Sequence, residues 1–391
     1  MKKFVYLCGL LFVSISMNGQ INTNDGWNLI LNEQFAGTNR GWGQNFQELQ
    51  YTYLNTIPMQ AFRWCACCPE YRDGVTIKGR YQAYQRSNAV FIDNKMRLRA
   101  EYVSSTPLIC GGSRPTGYEY PVDSWHECNY NDPSQTYYYS GVFQSNQQLF
   151  HYGYYEAECA FPVHNGAHAS FWLWGNYTTA TDSIYEEIDI MEYCINNSEV
   201  GNPQYEYSSG IWYNGQTIHL DYYHDHYGCS YINMPETGQG IKDMHTYGCE
   251  WMPDHIIFYR DGEVTSEFYD SQHIPQHEKF LKVSYSIDKY ALKKPHYDTP
   301  DWLGQDSLTI NQIKVYYLTT DCGTDALVQN AVQFNQINSM KRSITISNPN
   351  GITLPSNTDK TLRASDYFQI EGPFEVAAGA QITLMVHECP N

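Results

Sequence analysis

Positive charge is scarce in this chain. It carries 24 Lys and Arg against 42 Asp and Glu, a formal net charge of −18. Phosphate backbones are gripped by basic faces, so a nucleic-acid partner is disfavoured. Polyanionic glycans are disfavoured more weakly, because a local basic patch overrides an average. No apolar run approaches the ~20 residues that cross a bilayer, which argues against a transmembrane segment. No long stretch keeps a 3.6-residue period, so a helical bundle is not expected, and glycine without a G-X-Y repeat excludes collagen. The cluster Cys65-Ala66-Cys67-Cys68 has no CxxC or HxxxH partner elsewhere. Zinc sites usually need two ligand pairs, so no metal is expected.

Tyrosine is abundant: 35 residues, more than twice the 16 Phe. Aromatic rings with a polar handle suit surfaces that are both flat and wet, as sugar-binding clefts are. At the N-terminus, Met1-Lys2-Lys3 precedes an uncharged apolar run from Phe4 to Ser14, and Ser14, Ser16 and Gly19 are small residues before Gln20. Residues 1–19 therefore read as a signal peptide, and the protein as secreted or periplasmic. Cys8 lies too early in that run to be the acylated Cys of a lipoprotein. Of the 12 Cys, the others (Cys65, Cys67, Cys68, Cys110, Cys128, Cys159, Cys194, Cys229, Cys249, Cys322 and Cys389) are disulfide candidates in an exported chain, and their odd number leaves at least one unpaired.

Period-two alternation recurs along the chain, at Leu29/Leu31, Met96/Leu98, Phe171/Leu173, Ile188/Ile190 and Ile256/Phe258. Turn signals separate the runs: Asp73-Gly74, Asn165-Gly166, Asn214-Gly215 and Asp261-Gly262. Many short strands over about 300 residues predict an all-β sandwich or jelly roll of two antiparallel sheets, here residues 20–318. Residues 319–342 are polar, rich in Asn and Gln, and read as a linker. Residues 343–391 return to short strands (Ile344/Ile346, Ile352/Leu354, Phe368/Ile370, Phe374/Val376, Ile382/Leu384/Val386) and read as a small β module or solenoid-like appendage, with the last strands of the main sandwich as the alternative.

One segment carries chemistry: Tyr185-Glu186-Glu187-Ile188-Asp189-Ile190-Met191-Glu192. A strand points Glu187 and Asp189 to one face. Glu192, three beyond Asp189, falls on the other face unless a β-bulge at Ile190-Met191 restores it, and bulges are common beside active sites. Ile188 and one of Ile190 and Met191 are then rooted in the core. Crowded carboxylates do not all ionise freely, so their pKa values spread. Glycoside hydrolysis uses that spread, with one carboxylate to attack and another, protonated, to donate to the leaving oxygen. Spacing alone leaves retaining and inverting geometries open. A solvated acidic strand face is the plain alternative, but like charges without a partner are unfavourable there.

The neighbouring run His168-Ala169-Ser170-Phe171-Trp172-Leu173-Trp174 completes a likeness. With the acidic segment the chain resembles glycoside hydrolase family 16, the laminarinase-like enzymes with the bulged Glu-x-Asp-x-x-Glu form, over about residues 27–318. The resemblance includes Trp27 to Gly37, Glu48-Leu49-Gln50-Tyr51-Thr52, Tyr152-Gly153-Tyr154-Tyr155-Glu156-Ala157, His245-Thr246-Tyr247 with Glu250-Trp251, Tyr259-Arg260-Asp261-Gly262 and Ile313 to Tyr316. It implies a concanavalin-like jelly roll that cleaves internal β-linkages with retention. Glu187 would be the nucleophile, Glu192 the general acid/base, and Asp189 the residue that tunes the nucleophile. Trp172 and Trp174 are candidates for a sugar-stacking platform, and His245 and Trp251 for further substrate contact. Core packing is the alternative for the two tryptophans, and His245 and Trp251 read equally as ordinary buried residues. No cofactor is required; a structural calcium is compatible with the sequence, but nothing in it indicates one.

Three departures bear on substrate. His168-Ala169-Ser170 stands where laminarinases usually show Trp-Pro-Ala. Phe46-Gln47 replaces the two Asn that commonly precede the ELQ segment. A Cys-rich insertion at about residues 54–87 carries Arg63, Arg72, Lys78, Arg80 and Arg86, and reads either as a stapled surface loop or as a cleft wall suited to a substituted or anionic glycan. The expected substrate is β-1,3(-1,4)-glucan. The alternatives are a β-galactan (agar, porphyran or carrageenan), a mucin O-glycan, or a carbohydrate-binding protein without catalysis. The tail resembles small β modules appended to secreted enzymes of Bacteroidetes-type bacteria. Oligomeric state leaves no mark on the sequence.

Overall fold

The alternating runs become strands because only a pleated chain sends every second side chain to the same side. In the computed structural model the described residues are 25–35, 88–102, 138–145, 150–162, 167–178, 183–194, 206–213, 244–287 and 305–390, with short strands between residues 51 and 84 and at 216–219 and 232–233. Contacts divide the chain into two units, residues 29–317 and residues 318–391 with the N-terminal segment up to Asn28.

The larger unit holds two sets of antiparallel strands around one core, the sandwich that the alternation predicts. The front set runs Tyr138–Ser145, Phe280–Ile287, Ala167–Thr178, Ser183–Cys194, Glu206–Tyr213 and Gln216–His219, each hydrogen-bonded to the next. The back set includes Ile256–Arg260, His245–Trp251, Gly153–Ala160, Gln305–Leu318 and Lys95–Tyr102, in that order. Front residues Ala167, Ala169, Phe171, Leu173, Leu281, Val283, Tyr285 and Ile287 share the core with Tyr155, Ala157, Tyr247, Cys249, Trp251, Phe258 and Ile313 from the back. In Ala167–Thr178 and Phe280–Ile287 the odd-numbered positions face inward, which leaves the even-numbered ones on the outer face.

The Asp261-Gly262 turn forms as predicted. Both residues have positive φ, 51° and 80°, the conformation of a two-residue hairpin that follows strand twist. Asp93 and Asn94, at φ 53° and 56°, make an equivalent turn that the sequence reading passed over. The other three turn signals, residues 1–19 and the side chains of the Cys-rich insertion lie outside the described residues. Cys159 and Cys249, on paired back strands, are buried free thiols held protonated by burial.

Residues 319–342 are not a linker. Thr320–Val328 is a strand and Ala331–Gln336 a short helix capped by Asn330, whose side chain accepts from the Gln333 amide. Thr320–Val328, Met340–Ser347, Asp359–Glu371 and Gln381–Val386 form one parallel sheet, and Ile352–Leu354 pairs in parallel with Phe374–Val376. These are not the last strands of the sandwich. They enclose their own core of Val328, Phe334, Ile344, Ile346, Ile352, Leu354, Leu362 and Ala364, and Cys322 is bonded to Cys389. Asp25 and Trp27 belong with this unit, not with the sandwich as the 20–318 boundary expected: Lys360 lies 3.7 Å from Asp25, and the Arg363 guanidinium sits 5.1 Å from the Trp27 ring centroid. No helix among the described residues is long and apolar enough to cross a membrane.

Candidate active site

The bulge falls where the spacing of the acids demands it. Against Ala167–Thr178, the register runs Trp174 to Glu187 and Trp172 to Asp189, then jumps to Phe171 opposite Met191. On the other side Asp189 faces Gly210 and Glu192 faces Ser208, so Ile190 and Met191 together oppose one residue. Both are buried, as is Ile188, where one of the pair was expected inside. Two consecutive inward residues reset the alternation, and Glu192 emerges on the same outer face as Glu187 and Asp189. Directly paired residues share a face, so Trp172, Trp174, Ser170 and His168 from one neighbour line the same surface. Gly210 and Trp212 from the other line it too.

Every acid on this face has a defined environment. Tyr185 donates its hydroxyl to Glu187 Oε2. His168 Nε2 lies 2.7 Å from Glu192 Oε1. Asp189 is buried opposite Gly210, where an added Cβ would lie 3.9 Å from Oδ2. Burial pushes the Glu187 carboxyl up to about 7, and the Glu192 charge adds to the rise. The Tyr185 hydrogen bond and the charges of Lys282 and His168 oppose it. The Tyr185 hydroxyl is in turn pushed far above its ordinary range, by burial first and then by the Glu187 charge.

Trp172 and Trp174 share a strand face, as their spacing predicts, and pair with Asp189 and Glu187. Trp172 Nε1 donates to Ser284 Oγ at 3.1 Å, and Trp174 stacks on Phe280 with centroids 5.9 Å apart. The Lys282 ammonium lies 4.4 Å from the Trp172 ring centroid and 4.5 Å from that of Trp174.

Two expected substrate residues are not brought here. His245 opens a back-sheet strand, where Nδ1 lies 2.6 Å from Asp261 Oδ2 and the Arg260 guanidinium 3.1 Å from Nε2. It secures the Asp261-Gly262 hairpin. Trp251 is fully buried, and its indole N–H donates to the Pro275 carbonyl at 2.9 Å. Strand parity puts Tyr247, Cys249 and Trp251 all on the core side, so the aromatic that resembled a cleft residue is packing.

Three participants escaped the sequence reading: His168, Tyr185 and Lys282. Parity was the available signal for the first two, since His168 is four residues before Trp172 and Tyr185 two before Glu187 on strands already assigned. Lys282 interrupts an otherwise apolar and hydroxyl-bearing strand, Phe280–Ile287. A charge there needs a reason.

The family model for glycosyl hydrolases family 16 matches residues 80–307, more than half of the chain and all of the acid, tryptophan and lysine strands. The chain belongs to that family. Among family 16 relatives and similar proteins, a β-glucanase of Acetivibrio thermocellus is 32% identical over 127 residues, 32% of this chain and 31% of that protein. A κ-carrageenase of Pseudoalteromonas carrageenovora is 29% identical over 164 residues, 37% of each. The chain thus spans about a third of the length of these two curated relatives. The catalytic domain of an endo-1,3-β-glucanase (laminarinase) from Thermotoga petrophila superposes with a TM-score of 0.47 at 16% identity, covering 75% of this chain and 99% of that one.

Proposed function

We propose that the chain is a secreted, endo-acting, retaining β-glycoside hydrolase whose nucleophile is Glu187, whose general acid/base is Glu192 and whose assisting residue is Asp189. The observation that carries the proposal is the bulge, which sets three carboxylates on one surface flanked by two tryptophans. A Glu187 oxygen attacks the anomeric carbon as the glycosidic C–O bond breaks, and the Glu192 carboxyl protonates the departing oxygen. Water then gives a proton to Glu192 and attacks the same carbon, and Glu187 leaves as carboxylate. No cofactor enters this scheme. Secretion rests on the N-terminal residues 1–19.

The proposed substrate is a neutral β-1,3(-1,4)-glucan. Among the described residues of the front strands, three acids and a single lysine leave this surface net negative, which repels a sulfated chain at the bond to be cut. A galactan is the second reading, favoured by the stretch shared with a κ-carrageenase. Purified protein is tested on laminarin, mixed-linkage glucan, agarose, porphyran, carrageenan and mucin, with products sized. Glu187→Gln removes the nucleophile and leaves the fold, so hydrolysis of whichever member is cut falls by several orders of magnitude while binding persists. Undiminished product release by that variant overturns the assignment.

A further inference from the structure

A nucleophilic carboxylate must be ionised, and burial of Glu187 opposes ionisation. Among the described residues of the front strands, Lys282 is the one Lys or Arg. Leu281, Val283, Tyr285 and Ile287 are all buried in the core, so strand parity puts Lys282 on the outer face, directly opposite Trp172. Lysines ordinarily extend their ammonium into water. This one is 4% exposed and held over two indole rings, which offset part of its lost hydration. The cross-strand partners of those indoles are Asp189 and Glu187. The clamp therefore fixes a positive charge at the rows that hold the acids.

We propose that Lys282 is a positioning residue, clamped between Trp172 and Trp174 so that its charge keeps the Glu187 carboxylate ionised. The proposal rests on the reading of Glu187 as nucleophile. Among the described residues the groups around Glu187 are few. From its own strand come Tyr185, Asp189 and Glu192; from the tryptophan strand His168, bonded to Glu192; from the third strand Lys282. Beyond Trp212 and Gly210, His219 occupies the register position opposite Gly210. The carboxylates raise the proton affinity of Glu187, and Lys282 lowers it. Burial pulls the Lys282 ammonium itself down to about 7, and Glu187 opposes that fall, so each charge supports the other.

Two measurements test this. In full-length protein labelled at lysine Cε, the Lys282 resonance is assigned by its loss in Lys282→Arg and titrated in wild type and in Glu187→Gln. Coupling predicts a Lys282 midpoint lower by about one pH unit in the Gln variant, the effect of removing a neighbouring opposite charge. Equal midpoints overturn the proposal, and this measurement needs no substrate. The second follows kcat/KM against pH on laminarin. Lys282→Met moves the acid limb up by about one pH unit, because Glu187 then holds its proton to higher pH, and Lys282→Arg keeps it in place. An unmoved limb in Lys282→Met overturns the proposal. Should Glu187→Gln retain hydrolysis, the nucleophile assignment fails, whereas the lysine titration still reports whether the two charges are coupled.

Discussion

Glu186 and Glu187 are neighbours in sequence with opposite environments. Glu186 is fully buried: Lys279 Nζ donates to it, His277 Nδ1 lies 3.0 Å away, and the amides of Gln276 and His277 donate at 3.1 and 3.2 Å. Burial alone would raise its carboxyl, but Lys279 and these donors outweigh burial and hold it below the usual range. Glu187 has one hydroxyl donor and a more distant cation, and burial wins there. Lys279→Met strands a buried carboxylate and is expected to cost about 3–5 kcal/mol of stability in urea unfolding. Because the folded pKa of Glu186 is depressed, its contribution is complete above the unfolded value near ~4.3 and fades as pH falls through the folded one. The Met variant's deficit should therefore be full at neutral pH and narrow in acid. A deficit below about 1 kcal/mol at pH 7 contradicts this reading. The Glu186 environment was not legible in Glu186-Glu187 itself, since its partners lie 90 to 93 residues away in sequence.

At the scale of the strand, the acid segment was legible because its period breaks at one place. Only a two-for-one mismatch reconciles Asp189 and Glu192 on a common face, and the register shows that mismatch on both flanking strands. The same reasoning yields an asymmetric prediction. Deleting Met191 removes the bulge but keeps parity, so Glu192 stays outside and hydrolysis of the scanned substrate remains measurable. Inserting one Ala between Met191 and Glu192 turns Glu192 inward, so activity is lost and stability falls as a carboxylate enters the core. Reducing-sugar assays with a thermal melt on each variant decide it; equal activity in the two contradicts the parity account. His245 and Trp251 show where local likeness misleads. Their strand resembles one associated with a cleft, but its parity is set by the core, and only the pairing with Gly153–Ala160 reveals that it belongs to the back sheet.

At the scale of the whole molecule, alternation was enough to read an all-β sandwich, because each front strand buries one face and exposes the other. The tail was harder to read. Thr320–Val328 is largely exposed and only Val328 is buried, so it lacks the apolar alternation that marks a strand and passes for a polar connection. Its order comes from parallel pairing with Met340–Ser347, a contact between segments that no local pattern announces. The central claim is that the folded sandwich presents Glu187 as the atom donor to a sugar. The most direct measurement is to treat the full-length protein with an epoxyalkyl β-glucoside oligosaccharide and locate the added mass by peptide mapping. The account predicts one adduct per chain, carried by Glu187, with hydrolysis lost in step. An adduct confined to Asp189 or Glu192, or full labelling with hydrolysis intact, contradicts it.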